Sequence, residues 1–180
     1  MASVRRVLDA AYAVAAGLAA LSLLLIFLIM MAQMGLRAIN VQVPAADDIS
    51  AYLCVSTTFF ALAATFRRGE LIRVGMALER LGPEARRWAE ALALALAAAM
   101  TAYIVFWTAQ DTLFSWEIEE LSQGTVALPI WVPKLAVPIG SGLLLVAVLD
   151  ELACVLRGGR PSYVVAAEER AARGDFSAEV

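Results

Sequence analysis

The sequence contains four long stretches without charged side chains, separated by short charged segments. The first runs from residue 10 to 36, the second from 49 to 66 and the third from 91 to 110. The fourth, from 135 to 149, is shorter, but a helix through it can continue to Leu156. Because about 20 apolar residues in a helix cross a bilayer, the pattern predicts four membrane-spanning helices.

We place the spans in a single membrane domain over residues 1–180, at 10–36, 49–66, 88–110 and 134–156. The first run exceeds the apolar core of a cleaved signal peptide, about 7–15 residues, so we expect it to be retained. A carboxylate at Asp47 or Asp48 can accept the free amides of the first turn of the second helix.

Prolines refine the last two spans. Pro83 suits the first position of a helix, so the third helix is predicted to begin there. Pro138 can mark a short break at the entry of the fourth. A fourth segment that re-enters the membrane without crossing it is the open alternative.

Composition supports the membrane class and excludes several others. Of 180 residues, 62% are apolar and 17% charged, with a net charge of −3. A soluble domain of this length cannot bury so much apolar surface, and no large basic face is present to meet nucleic acid. Histidine is absent, which removes Ser-His-Asp catalysis and most zinc sites. We therefore expect no enzyme activity and no cofactor.

The basic residues predict the orientation. With four spans, both termini share one side, and twelve of the 14 basic residues fall there, against Arg37 and Lys134 opposite. The twelve are Arg5, Arg6, Arg67, Arg68, Arg73, Arg80, Arg86, Arg87, Arg157, Arg160, Arg170 and Arg173. Because basic loops stay inside, both termini are predicted to be cytoplasmic.

Two segments on the cytoplasmic side have their own patterns. Residues 70–81 carry apolar side chains at helical spacing and predict a short amphipathic helix on the membrane surface. The alternative is an extension of the second span packed on protein. The polar tail over 158–180 is predicted to be flexible.

Few residues are candidates for chemistry. Asp150 and Glu151 lie near the C-terminal end of the fourth span, where a carboxylate needs a nearby cation. Arg67, Arg68, Arg157 or a partner subunit can supply it, so a solvated or ion-paired helix end and an inter-subunit salt bridge both remain open.

The opposite side has its own candidates. Arg37 and Asp48 flank a short loop and can form a charge-assisted bond, or be solvated separately. Glu117, Glu119 and Glu120 form an acidic patch that we interpret as an exposed loop face.

Small residues recur four positions apart, as in Ala13 with Gly17 and in Ala91, Ala95 and Ala99. Such rows allow helices to approach closely in lipid. Broad apolar faces without a charged pathway through the first three spans favour one subunit of a larger membrane assembly.

An ordered set of short motifs completes the pattern. The motifs are Arg37 and Asn40; Asp47-Asp48 leading into Tyr52; Arg67-Arg68-Gly69 with Ile72-Arg73-Val74; Leu128-Pro129-Ile130-Trp131; and Val137-Pro138-Ile139-Gly140. In this order and topology, the chain resembles the small membrane subunit (DctQ type) of tripartite ATP-independent periplasmic (TRAP) transporters.

The resemblance implies a function. Such a subunit pairs with a large multi-span permease subunit that carries solute and sodium by an elevator-like movement, while a periplasmic solute-binding protein delivers the solute, commonly an organic acid. The small subunit is then a non-catalytic scaffold, or stator, in the bacterial inner membrane. Two alternatives stay open: a structural or assembly protein of another complex, and a self-sufficient small transporter formed by homo-oligomerisation.

Overall fold

The computed structural model describes residues 2–41, 43–68, 82–124 and 126–158, and this part of the chain is all-helical apart from turns and one β-bridge. The helices are α1 (Ala2–Ala38), α2 (Ala46–Arg68), α3 (Pro83–Glu117), α4 (Trp131–Lys134) and α5 (Ala136–Leu156). Four stretches are long and apolar enough to cross a membrane: Leu8–Ala38, Ala46–Arg67, Glu84–Glu117 and Trp131–Leu156. The prediction of an all-α chain with four such helices is confirmed.

The helix ends differ from the predicted ones. α2 begins at Ala46, so Asp47 and Asp48 lie inside its first turn rather than ahead of it. There they still face the positive end of the helix dipole. α3 begins at Pro83 as predicted but continues to Glu117, seven residues past the predicted end at 110. Charged residues after 110 did not end the helix because their side chains find partners or solvent at its surface.

The last span is interrupted where proline removes a donor. α4 and α5 are separated by Leu135, whose backbone keeps the helical angles φ −56° and ψ −29°. Pro138 has no amide to bond the carbonyl of Lys134, four residues earlier, so regular pairing lapses there and resumes with Ile139 on Leu135. The break at Leu135 comes three residues before Pro138.

The long helices pack side by side in the order α1, α2, α5, α3, which we call the helix row. α2 lies between α1 and α5, and α5 lies between α2 and α3. Within the described residues, α1 touches α5 only slightly and has no substantial contact with α3. A row, unlike a closed bundle, leaves two broad faces open.

Small side chains line the contacts, but not all of those that the spacing predicted. On α1 the buried positions are Tyr12, Ala15, Ala19 and Ser22, while Gly17 has no neighbour within 4 Å of an added Cβ. On α3, Ala91, Leu94 and Ala98 are buried, whereas Ala95 and Ala99 are exposed. The predicted close approach at Ala13 and Gly17 is therefore not used within the chain, because the buried face is rotated by about half a turn.

Some predictions concern segments that are not described. The amphipathic helix at 70–81 with Arg73, and the tail beyond residue 158, lie outside the described residues. Orientation in the membrane also stays a prediction.

Candidate functional site: polar contacts at both ends of the helix row

The two outer junctions of the row, α1–α2 and α3–α5, are each joined at both ends by polar side chains. We call the end with the N-terminus of α1 and the C-terminus of α5 the terminal end. The other end, with the connections at 39–45 and 118–130, is the loop end. Charged partners are tolerated at both because they lie near the predicted membrane boundaries rather than at mid-membrane.

At the loop end, Lys134 joins α3 to the segment that enters α5. Its ammonium lies 3.0 Å from Asp111 and 3.3 Å from Glu120, and it donates to the Ser115 hydroxyl at 2.7 Å. Ser115 is fully buried and donates in turn to Glu120 at 2.6 Å. We call these four residues the lysine cluster.

The lysine cluster changes the interpretation of the acidic patch. The hydrogen bond from Ser115, then that from Lys134, holds the pKa of Glu120 below its usual value. Glu120 is therefore a partner of α3 and α4 although its side chain is still 39% exposed, while Glu117 and Glu119 are exposed as predicted. Sequence spacing gave no signal for this, since Lys134 lies 14 residues from Glu120.

The connection at 118–130 is also fixed to α2. The Tyr52 and Ser122 hydroxyls are 2.8 Å apart, and a Cβ on Gly124 would overlap the carboxylate of Asp48. Only glycine fits there without displacing Asp48. Two of the motif residues quoted above, Asp48 and Tyr52, thus hold this loop against the start of α2.

The loop end of the α1–α2 junction is held differently. Gln33 donates to Asp47 at 3.1 Å. Among the described residues, Arg37 forms no ion pair with Asp48, so of the two alternatives the structure shows separate charges and not the bond. The uncharged Gln33 takes the role expected of the cation because it lies one turn earlier on α1.

The middle of the row depends on a close approach of α2 and α5. A Cβ on Gly140 would lie 2.5 Å from the carbonyl oxygen of Phe59 and 2.8 Å from its Cβ. Ala63 and Ala147 are almost fully buried in the same core. Gly140 and Pro138, both from one motif, thus serve helix packing and helix entry.

At the terminal end, Arg67 joins α2 to α1. Its guanidinium is paired with Asp9 and lies 4.9 Å from the centre of the Tyr12 ring. Tyr12 is buried, so the stacked guanidinium covers the end of the α1–α2 core. Arg67 was predicted as a candidate; Asp9 and Tyr12 were missed because they lie at the edge of an uncharged run.

Arg87 provides the matching contact between α3 and α5. It donates to the backbone carbonyls of Val155 at 3.2 Å and Leu156 at 2.6 Å. The last turn of α5 contains no basic residue of its own, so Arg87 supplies the cation that the negative end of the helix dipole favours. Arg87 was not among the cations that the sequence suggested for this helix end.

Asp150 and Glu151 occupy opposite environments. Glu151 is 4% exposed and belongs to the buried side of α5, so of the two forms of the predicted helix end, solvated or ion-paired, burial excludes the solvated one for this side chain. Asp150 is exposed, and no hydrogen bond or ion pair joins its side chain to another described residue. Both lie within electrostatic range of Tyr12 on α1.

The other predicted candidates are less informative. Trp131 is half-buried and begins α4. Arg68 ends α2. Across the described ranges, no group of His, Cys, Asp and Glu has the geometry of a metal site. The polar contacts therefore join helices, and none assembles a reactive centre.

These features define a multi-pass helical membrane protein whose polar residues hold its helices together. The chain matches the family model for the DctQ component of tripartite ATP-independent periplasmic transporters over residues 26–158, and it belongs to that family. It is thus a small subunit of a TRAP transporter, which confirms the resemblance. Comparison with individual curated proteins gives no significant match.

Proposed function

We propose that this chain is the stationary scaffold of its transporter. In this proposal it holds a large elevator-type permease subunit in the bacterial inner membrane while that subunit moves an organic-acid-like solute with a coupling ion. A periplasmic binding protein supplies the solute. The chain itself performs no chemistry.

The observation that carries this proposal is the helix row with polar contacts at both ends. Arg67 and Gln33 hold the two ends of the α1–α2 junction, and Arg87 and Lys134 hold those of the α3–α5 junction. Contacts at both ends oppose both sliding and splaying of neighbouring helices. Such a row is suited to staying still while a partner moves.

The open faces of the row supply the second argument. Large apolar side chains are exposed along α1 and α3, such as Leu24 at 53% and Trp107 at 55%. A wide apolar body must displace many lipids to tilt or shift, so it resists movement in the membrane. Rows of small exposed residues, such as Ala95 and Ala99, leave room for a partner helix to approach.

The proposed orientation places the terminal end in the cytoplasm. Twelve of the 14 basic residues lie on that side, and Arg67 and Arg87 are among them. The loop end then faces the periplasm, where a solute-binding protein would dock.

Asp150 is the proposed contact with the permease subunit. It lies on the exposed side of α5, six residues before the helix ends, so it falls short of the boundary marked by Arg87 and Leu156. A carboxylate at that depth is favoured by a cation from a neighbouring helix. Asp150→Asn should weaken co-elution with the permease subunit while this chain stays folded, and unchanged co-elution would reject this contact.

A double cross-link tests the scaffold role. In a chain with Cys54 and Cys154 replaced by alanine, cysteine pairs are introduced at Gln33 with Asp47, and at Asp9 with Arg67. Both pairs join side chains that already touch. Oxidation locks α1 to α2 at both ends, and uptake is measured in proteoliposomes holding the complete transporter.

A stationary row predicts that uptake is the same before and after oxidation. The matched control is each single-cysteine variant, treated identically, which reports damage by the oxidant. Loss of uptake that reducing agent restores, in the double pairs alone, would contradict the proposal.

A further inference from the structure

A cavity of about 500 Å³ opens at the loop end between α1 and α2. Its polar wall is formed by Gln33, Arg37, Asp47 and Asp48, and its apolar wall includes Val41 and Val43. This volume lies in the range of small-molecule sites. The hydrogen bond between Gln33 and Asp47 already joins α1 to α2 here. The cavity is therefore not required for the packing of these two helices.

Opposite charges share this cavity without neutralising each other. The side chain of Arg37 forms no hydrogen bond or ion pair with a described residue, and the side chain of Asp48 forms none either. Asp47 accepts only the bond from Gln33. Arg37, Asp47 and Asp48 thus all line the cavity, and the carboxylate of Asp48 also borders Gly124 of the 118–130 connection.

Arg37 also lies at the end of an apolar stripe. Phe27, Met30 and Met34 are exposed by 58%, 40% and 71%, and they precede Arg37 on α1 at spacings of three or four residues. Residues at such spacing lie on one side of a helix. The exposed stripe therefore leads directly to the guanidinium, at the predicted boundary of the membrane.

A buried hydroxyl lies on α2 four residues after Ala46, outside the residues that line the cavity. Ser50 is 5% exposed, and its Oγ is the one buried side-chain polar atom without a hydrogen bond in the part of the chain that the structure describes. It is one turn below Ala46, which lines the cavity. By contrast Ser56, Thr57 and Thr65 on the same helix donate to carbonyls four residues earlier.

We propose that this cavity binds the headgroup of a zwitterionic phospholipid. The phosphate lies on Arg37, the ammonium lies beside the carboxylate of Asp47, and an acyl chain follows the stripe of Phe27, Met30 and Met34. A guanidinium suits phosphate because its donors match two oxygens at once. A glycerol headgroup has no amine, so its phosphate would approach the carboxylates of Asp47 and Asp48 with no positive charge to offset theirs. The cavity therefore selects an ethanolamine headgroup over a glycerol headgroup.

Lipid titration of the purified full-length chain tests the proposed headgroup binding. After delipidation in detergent, the chain is titrated with phosphatidylethanolamine and, separately, with phosphatidylglycerol of the same acyl chains, and bound lipid is counted by native mass spectrometry. We expect phosphatidylethanolamine to bind about tenfold more tightly, the effect of one charge-assisted contact. Soluble phosphoethanolamine should bind far more weakly than the lipid, because it lacks the acyl chain.

Variants assign the two charges. Arg37→Gln should weaken binding of both lipids about tenfold. The double variant Asp47→Asn and Asp48→Asn should remove the preference for ethanolamine while phosphate binding remains. Arg157→Gln, an exposed arginine at the terminal end, is the matched control and should change nothing.

Several results would overturn the proposal. One is equal or tighter binding of phosphatidylglycerol by the unmodified chain. Another is unchanged lipid binding in Arg37→Gln. Binding of phosphoethanolamine as tight as that of the lipid would overturn the lipid assignment in favour of a soluble zwitterion. The comparison of the two lipids and of the soluble headgroup uses the unmodified chain, so it remains decisive even where a variant does not fold.

Discussion

The two loop-end junctions of the helix row are built in opposite ways. Between α3 and α5, Lys134 has three partners within 3.3 Å, and one of them is the fully buried Ser115. Between α1 and α2, Arg37 has no partner among the described residues and lines an open cavity. One cation joins helices; the other is left available.

The difference shows that a lone basic residue outside a span has no fixed role. Only two basic residues lie on the predicted periplasmic side, and sequence alone treats them alike. Their roles follow from which acidic groups the fold brings near: Asp111 and Glu120 reach Lys134, whereas Gln33 reaches Asp47 before Arg37 can. The first arrangement favours rigidity, and the second favours ligand binding.

The largest expected effect is at the contact between α2 and α5, which lies between the α1–α2 and α3–α5 junctions. Gly140→Ala should destabilise the chain by about 2–3 kcal/mol, because the new methyl group meets the backbone of Phe59, which cannot turn aside. Both loop-end junctions should loosen together, as measured by thermal unfolding in detergent.

Gly142→Ala is the matched control for that change. It lies two residues further on the same helix, and an added Cβ has no neighbour within 4 Å. The helix gains propensity there, so stability should rise by up to about 1 kcal/mol. Equal destabilisation by both variants would contradict the close approach at Gly140.

Removing the cation from the lysine cluster should have the next largest effect. Lys134→Met should lower the free energy of unfolding by about 1–2 kcal/mol, since it removes a charged hydrogen bond to the buried Ser115 hydroxyl. Chemical denaturation in mixed micelles measures this loss. A change within experimental error would show that the lysine cluster contributes no stability.

Acidification should affect the same region through Glu120. Its pKa is lowered in the folded chain, so its contribution to stability is present above the pKa of the unfolded chain. That contribution is lost as the pH falls through the lowered pKa of the folded chain. The melting temperature should therefore drop at acidic pH, and Glu120→Gln should make that drop smaller. An identical pH profile in the variant would exclude Glu120 as the responsible group.

The smallest expected effect is at Arg37. Arg37→Met should change the free energy of unfolding by no more than about 0.5 kcal/mol, because the side chain has no described partner to lose. The same thermal assay applies, in lipid-free detergent. A loss as large as that of Lys134→Met would erase the distinction between the two junctions.

Sequence patterns predicted the membrane class well because uncharged runs are long and easily counted. They misplaced the end of α3 because Asp111 is charged yet lies within the helix and pairs with Lys134. They also overlooked Asp9, whose importance depends on Arg67, 58 residues away. A charge marks a possible helix end, but its partner decides whether the helix ends there.

The order of helices in the row could not be predicted from the sequence, for a different reason. Membrane helices are apolar all round, so periodicity does not reveal which face meets a neighbour. Ala13 with Gly17 had the spacing of a contact, yet the buried face of α1 contains Ala15 and Ala19. Gly140 belongs to a motif that the sequence shows. The reason that glycine is required there, the nearby backbone of Phe59, is visible only in three dimensions.

A distance across the whole row tests the central claim most directly. Spin labels are placed on α1 at Met34 and on α3 at Trp116, both well exposed, in the chain with Cys54 and Cys154 replaced. Their separation is measured by pulsed electron paramagnetic resonance in the reconstituted transporter, with and without solute and coupling ion. A stationary row predicts a single distance that stays the same under all conditions. A shift of several ångströms, or a second population that appears with solute, would contradict it.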